Sequence, residues 1–284
     1  PSMNADQLEI FQTHPDPRVR KVAKLVGDAR KAEKLANTYF RAIVEDNFDG
    51  RMHPQINTMG AITGRNSMQN PNLQNLPSFG AIVKNAFIPE DGHLLLSSDL
   101  DQVELRITTN YSKDPGLIAL FHDVAKNGGD IFTSLGRELY DDPSMEKSDK
   151  RRALVKTYMY ASLYGASVRK QALSAGVSFE VMQGFADHFK EKFPGLSQFQ
   201  QGTTNAVEQR RRREGTGYIV TPTTDRRIPV EADKAYKGSN YLIQSAAADV
   251  MKANVVALDA AGYGDSLRTV VHDEVIVDVP RGDL

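Results

Sequence analysis

Two acidic positions stand out in this 284-residue chain as places where chemistry could happen. Asp99 follows the short apolar run His93-Leu94-Leu95-Leu96-Ser97, and Asp273-Glu274 lies inside an alternating stretch from Leu267 to Val279. The first pattern reads as a strand that delivers an aspartate to its end, the second as a hairpin whose turn falls near His272-Asp273. Two such strands side by side would offer oxygen ligands to a hard divalent ion, and a pair of ions there would suit phosphoryl transfer. The same residues admit an ordinary structural reading. Asp101 would then cap the following helix with Glu104 at its third position, an Asp-x-x-Glu capping box, and Asp273 would simply shape a turn.

A third feature is a periodic one. Arg152, Lys156, Tyr160 and Tyr164 recur every four residues, a step that drifts only about 40° at 3.6 residues per turn, so all four fall on one slanted stripe of a helix. Two cations followed by two aromatics suit a nucleotide, with the charges meeting phosphates and the rings meeting sugar and base. A helix with core-facing tyrosines and solvated basic residues has the same spacing.

The elements that must position these residues follow from the rest of the pattern. Pro17 to Glu45 is helical, as one bent helix or two, and Arg51 to Pro89, which carries Gly60, Gly64, Pro71, Pro77 and Gly80, favours extended segments and loops. Helical patterns dominate from Leu117 to Arg213, with breaks near Gly128-Gly129, Asp141-Asp142-Pro143, Gly176 and Pro194-Gly195. Tyr218 to Val230 is strand-like around a Pro-Thr-Thr-Asp turn, and Ser239 to Ala260 is an apolar helix.

Composition narrows the function classes. With 40% hydrophobic and 25% charged residues the chain has the make-up of a globular protein, and no apolar run approaches the roughly 20 residues of a membrane span. Pro1 to Ile10 is polar and contains Asp6 and Glu9, so no secretion leader is visible, although the visible start can itself be a cut. The absence of cysteine excludes disulfides, thiolate zinc sites and cysteine nucleophiles, so any metal must bind oxygen or histidine. A net charge of -1 leaves only local basic surfaces for a nucleic acid: Lys147, Lys150, Arg151, Arg152 and Lys156, the run Arg210 to Arg213, and Arg226-Arg227. Each of these also reads as a solvated helix face.

Several long motifs, in order, resemble the polymerase domain of family A DNA polymerases, the family of bacterial DNA polymerase I and its phage relatives. They are Thr63-Gly64-Arg65 followed by Pro71-Asn72-Leu73-Gln74-Asn75-Leu76-Pro77; Asp99-Leu100-Asp101-Gln102-Val103-Glu104-Leu105-Arg106; Arg152-x3-Lys156-x3-Tyr160-x3-Tyr164-Gly165; and Val271-His272-Asp273-Glu274-Val275. The resemblance covers nearly the whole chain. It implies an α+β right-hand polymerase fold with an antiparallel β palm, helical fingers and a partial helical thumb. The division implied is residues 1–50 thumb remnant, 51–110 first part of the palm, 111–235 fingers and 236–284 second part of the palm.

Carried over position by position, the resemblance implies a DNA-directed DNA polymerase that adds deoxynucleotides from dNTPs to a primer 3′-hydroxyl with two Mg²⁺ ions. Asp99, Asp273 and the backbone carbonyl of Leu100 would be the metal ligands, with Glu274 an auxiliary acid. Arg152 and Lys156 would grip the triphosphate, Lys156 also counting among the catalytic residues. Tyr160 and Tyr164 would pack on sugar and base, Gln102 would join the nucleotide site, and Glu104 would be a sugar gate excluding a ribose 2′-hydroxyl. Arg65, Asn72, Gln74, Asn75 and His272 would bind primer-template DNA, and Asn240 with Gln244 would read minor-groove acceptors. The partners implied are primer-template DNA and dNTPs, with no membrane, a processivity or replisome factor among those the family admits, and the protein a monomer. The location implied is the cytoplasm of a bacterial or phage-infected cell, with an organelle left open.

Departures from the family pattern carry expectations too. Asp130-Ile131-Phe132 stands where many relatives have Asp-Ile-His, which removes or replaces one triphosphate contact. Tyr236 replaces an arginine often found before the minor-groove helix, with Lys234 and Lys237 as candidate substitutes. Tyr160 goes with acceptance of dideoxynucleotides. Relatives have a longer thumb and further residues after the last motif, so the chain reads as a core of, or a shortened version of, a longer protein, with any proofreading exonuclease upstream. A two-metal nuclease would use the same carboxylates without needing the Arg-Lys-Tyr-Tyr stripe, and a non-catalytic DNA-binding module would explain the basic clusters but not the acids.

Overall fold

Short polar caps set most helix boundaries in the computed structural model, which describes residues 4–76 and 82–283; Pro77 and Gly80 fall outside that range. The chain forms two compact units, the first from Pro1–Thr58, Asn66–Leu96 and Asp278–Leu284, the second from Met59–Arg65 and Ser97–Val277.

In the first unit, the Asn4 side chain accepts from the Gln7 amide at 2.9 Å and starts α1 (Ala5–Gln12). Asp16 does the same for α2 (Pro17–Lys34), accepting from the Arg18 amide at 2.8 Å, with Pro17 at the position where its missing N–H is harmless. The helix then runs through a wide turn at Leu35–Phe40 into α3 (Arg41–Glu45). The expected choice between one bent helix and two thus resolves into one continuous run whose hydrogen-bond pattern widens. Two small antiparallel pairs follow, β1 (Asn47–Phe48) with β2 (Arg51–Met52) and β3 (Gln55–Asn57) with β4 (Ser67–Gln69). The buried Tyr39 donates its hydroxyl to the Asn75 carbonyl at 2.8 Å and fixes the turn Leu73–Asn75.

The second unit holds the larger core. Strand β5 (His93–Asp99), of which only Ser97 to Asp99 belong to this unit, is followed by α4 (Val103–Ser112), α5 (Pro115–Asn127), α6 (Ile131–Leu139), α7 (Lys150–Leu163), α8 (Val168–Ala175), α9 (Phe179–Lys192) and α10 (Pro194–Glu214). Leu105, Phe132, Leu135, Met159, Leu163, Met182 and Phe193 are each at most 2% exposed in one contiguous cluster that joins these helices. Removing a side chain of that size from such a site typically costs about 3–5 kcal/mol for an aromatic. The predicted helix breaks are present, with Gly176 ending α8 in the left-handed region and Pro194 opening α10. Asp114 is fully buried because one oxygen accepts from the Leu117 amide at 3.0 Å and the other from the Gly195 amide at 2.8 Å, tying the starts of α5 and α10 together.

The chain then forms the hairpin β6 (Tyr218–Val220) and β7 (Arg227–Pro229), the long α11 (Gly238–Leu258), and β8 (Leu267–Val271) with β9 (Glu274–Pro280). β8 and β9 are antiparallel, with Val271 opposite Glu274, and the three-stranded sheet has the order β5-β9-β8. The basic run at the end of α10 is partly internal. Arg210 donates to the Tyr218 carbonyl, and Arg211 donates to the carbonyls of Val230, Glu231 and Ala232, so these cations clamp the β6–β7 hairpin. The architecture is the expected α+β one, small antiparallel sheets set among helices. No helix of the described residues is long and apolar enough to cross a membrane.

Candidate active site

Every residue of the predicted metal and nucleotide sites lies in the second unit. Asp99 is the last residue of β5, and Asp273 sits in the tight turn between β8 and β9, where His272 takes a left-handed φ of 57°. The Leu100 amide donates to the Asp273 carbonyl at 3.0 Å, which stitches the strand end to the hairpin turn. Ser97 donates to the Glu274 carboxylate. The Asp99 carboxyl is pushed above the usual range by partial desolvation and then by the negative charges of Asp273, Glu274 and Asp101. Such mutual repulsion is what a divalent cation relieves, so the donor set fits a hard ion with oxygen ligands. The Leu100 carbonyl accepts from the Val103 amide at 3.2 Å, which leaves a carbonyl oxygen one further lone pair.

The capping box read from Asp101 and Glu104 is absent. Gln102 occupies the cap position with a left-handed φ of 55° and no side-chain cap, which moves the start of α4 one residue on. Asp101 instead pairs with Arg106, which donates to its carboxylate and its carbonyl at 2.8 Å each. Glu104 is buried and turned to two other partners. Its one oxygen accepts from Arg65 and its other from the Tyr164 hydroxyl at 2.7 Å. Burial and that carboxylate together push the Tyr164 phenol well above its ordinary range.

The α7 stripe forms as predicted, with Tyr164 one position past the helix as its cap. Lys156 is exposed, Tyr160 is half-buried, and the Tyr160 hydroxyl donates to the Gln102 side chain at 3.0 Å. The Tyr160 phenol is raised by burial and then by the charges of Glu104, Asp273, Asp101 and Asp99. Arg152 forms a two-pronged pair with Asp130, Nε to Oδ2 at 2.6 Å and Nη2 to Oδ1 at 2.8 Å. Sequence spacing had offered Asp130 no partner; the link crosses from the start of α6 to the start of α7.

A second long-range device fixes the loop that carries Arg65. Arg226, on the β6–β7 turn, donates to the Thr63 carbonyl at 3.2 Å and to Asp249 of α11 at 3.1 Å. Gly64 between them has φ +81°, and a Cβ there would lie 1.8 Å from an Arg226 nitrogen, so a side chain would strain the backbone and push the guanidinium off its bonds to Thr63 and Asp249. Asn240 and Gln244 are both half-buried one turn apart on α11. Lys234 and Lys237, the substitutes considered for a missing arginine, both face Glu231 at 3.8 Å, while the Tyr236 ring abuts Gly165.

The other predicted DNA contacts, Asn72, Gln74 and Asn75, belong to the first unit. Asn72 caps the short turn by accepting from the Gln74 amide, and Gln74 donates to the Asn66 carbonyl at 3.2 Å. The first unit also carries a group that the sequence patterns did not disclose. Glu90, His93 and Asp278 place one ligand atom each within 4.8 Å of one another, an arrangement able to coordinate a divalent metal. Its members are also tied to protein partners, Glu90 to Arg51 at 2.7 Å and His93 to the buried Asp278 at 3.2 Å.

The family model of DNA polymerase family A matches residues 1–284. Among curated proteins, the chain is 28% identical over 260 residues to the DNA polymerase of Mycobacterium phage D29, covering 91% of this chain and 41% of that protein. It is 30% identical over 296 residues to the thermostable DNA polymerase I of Thermus aquaticus, covering 99% of this chain and 34% of that one. Among solved structures, the POL domain of Pol1 from M. smegmatis, in complex with DNA primer-template and dNTP, superposes with a TM-score of 0.81 at 28% identity. That match covers 99% of this chain and 50% of the solved one. The chain therefore spans less than half the length of these curated relatives. A match over the full sequence, joined to the same mixed fold with the strand-end aspartates and the α7 stripe in one unit, makes this chain a member of DNA polymerase family A.

Proposed function

We propose that this chain is a DNA-directed DNA polymerase that adds deoxynucleotides to a primer 3′-hydroxyl on a DNA template. The observation that carries the reading is the bonding that joins the stripe to the acidic segment: Tyr160 donates to Gln102 and Tyr164 to Glu104 on the stretch that begins at Asp99, and the Leu100 amide of that stretch donates to the Asp273 carbonyl. Asp99, Asp273 and the Leu100 carbonyl would hold two Mg²⁺ ions, and the chemistry these would supply is stabilisation of negative charge on the attacking and leaving oxygens. Arg152 and Lys156 bind the triphosphate and offset charge that develops on the transferred group. Tyr160 and Tyr164 contact sugar and base, while Gln102 orients Tyr160. Glu104, held by Arg65 and Tyr164, presents a fixed carboxylate edge that excludes a 2′-hydroxyl. Arg65, Asn72, Gln74, Asn75, Asn240, Gln244 and His272 contact the duplex, and Glu274 supports the acidic pair. Residues 1–50 are read as a thumb remnant, 51–110 and 236–284 as the palm, and 111–235 as the fingers.

Single-nucleotide primer extension with Mg²⁺ tests this directly. The chain, or a version extended at both ends, is expected to add one dNTP, and Asp99→Ala is expected to lose that activity. Degradation of the primer without incorporation would support a nuclease instead, and inactivity of both lengths would support a binding role.

A further inference from the structure

We propose that Asp130 and Phe132, in the first turn of α6, are positioning residues that preset Arg152 and Lys156 for the triphosphate of an incoming nucleotide. The inference rests on the reading of α7 given under the proposed function and names what holds its cations in place. Asp130 does two tasks with one carboxylate. It caps α6, accepting from the Thr133 amide at 2.9 Å and the Thr133 hydroxyl at 2.8 Å, and it grips Arg152 through both oxygens. A carboxylate already fixed by a helix start has little freedom, so the guanidinium it binds inherits that rigidity. The pair engages Nε and Nη2, which leaves the Nη1 donors outside the bond to Asp130 as those a phosphate would meet. Burial alone would raise the Asp130 carboxyl, yet the bonds from Arg152 and Thr133 outweigh it and bring it down to about 2.

Phe132 supplies the second half. Its ring is only 1% exposed and lies 5.8 Å from the Arg152 guanidinium carbon, 5.8 Å from the Lys156 ammonium and 5.7 Å from the Tyr160 ring centroid. One buried ring thus adjoins three of the four stripe residues. A phenylalanine cannot donate to a phosphate, so its contribution is its shape and the negative face it offers to cations. Lys156 would otherwise hold its four-carbon stem in many rotamers, and a ring beneath the ammonium lowers the entropy lost when phosphate binds.

Steady-state incorporation by Phe132→Leu, Asp130→Asn and Lys156→Ala, each against the parent, tests the assignment. Leucine keeps a buried apolar side chain but removes the ring face. Asparagine keeps the capping oxygen but cannot make the charge-assisted pair. Expected are rises in KM for dNTP of about 5- to 20-fold in Phe132→Leu and about 10- to 100-fold in Asp130→Asn. In both variants kcat and primer-template Kd should stay within about threefold, because the interaction lost is one to the nucleotide. Phe132→Tyr, which retains the ring face, should restore KM to within about twofold. If Asp130→Asn fails to fold, Thr133→Val, which loosens the same carboxylate without touching either cation, should raise KM in the same sense. A rise in KM for Lys156→Ala with unchanged or lowered KM in the α6 variants overturns the positioning role and leaves the triphosphate reading standing. An unchanged KM in Lys156→Ala overturns both.

Discussion

The two halves of the candidate site differ in how their charges are balanced. On and just past α7 the functional groups already have partners: Arg152 has Asp130, Lys156 has the Phe132 ring, Tyr160 has Gln102, and Tyr164 has Glu104, which also holds Arg65. At the end of β5 and the β8–β9 turn the charges are alike, and Asp99 is raised by partial desolvation and then by the negative groups around it. The first half is organised before any ligand arrives; the second is organised against itself and gains from a cation. Preorganised donors and cations speed a reaction because they need no rearrangement as charge develops, whereas crowded carboxylates store repulsion that metal binding releases.

Removing a carboxylate should do the most damage. Asp273→Ala is expected to lower single-nucleotide incorporation about 10³-fold or more, and the double variant with Asp99→Ala should be hardly worse, because residues that act as a unit are not additive. Additive losses in a quenched-flow comparison would mean that the two aspartates act separately. Next in size is Lys156→Ala, expected to cut kcat/KM for dNTP about 10- to 100-fold while primer-template Kd changes less than about twofold; the reverse pattern would place Lys156 on the duplex.

Glu104→Ala should relax deoxyribose over ribose selection by about 10²-fold, measured as the ratio of kcat/KM for dNTP and rNTP. It also strips Arg65 and Tyr164 of their shared partner, so a selectivity left intact would separate the network from sugar choice.

The smallest effect concerns stability and has the opposite sign. Because the folded-state pKa of Asp99 is raised, its protonated form favours folding; that contribution is full below the unfolded value of 3.8 and is lost as pH rises through the folded one. At neutral pH without divalent ions, Asp99→Asn should therefore raise Tm slightly, by about 1–3 °C after allowance for solvent screening at a largely exposed group. Asp130 runs the other way. Its lowered carboxyl stabilises above 3.8, and that share is lost as pH falls through about 2. A melting scan of Asp99→Asn with and without Mg²⁺ checks the contrast: the gain should vanish when Mg²⁺ is present, and a gain that persists would mean the repulsion is not what the ion relieves.

Periodicity and turn chemistry were enough to place β5, the β8–β9 hairpin, the helices from α5 to α10 and the α7 stripe, because each depends on residues close in sequence. The misplaced capping box shows where local reasoning fails. No capping box forms at Asp101, because the left-handed Gln102 moves the helix start, the nearby Arg106 takes the Asp101 carboxylate, and the distant Arg65 and Tyr164 take that of Glu104. The links from Asp130 to Arg152, from Arg65 and Tyr164 to Glu104, and from Arg226 to Asp249 join residues on different elements, and no spacing rule encodes them. The Glu90, His93 and Asp278 group was invisible for the same reason, Asp278 being 185 residues beyond His93 in the chain.

Gly64 gives the site an unusual mutational profile. Any of the nineteen alternatives brings a Cβ into the space of the Arg226 guanidinium, which must then give up its bonds to Thr63 and Asp249, and forces a backbone angle that side chains resist, so every single nucleotide change that alters this residue carries a double cost. In a saturation library selected for incorporation, that column should be empty except for silent codons. Exposed glycines with nothing near them, such as Gly184 and Gly202, should accept alanine freely. The loop that carries Arg65 is thus a place where drift cannot proceed by small steps, and change there would require Arg226 to be replaced first.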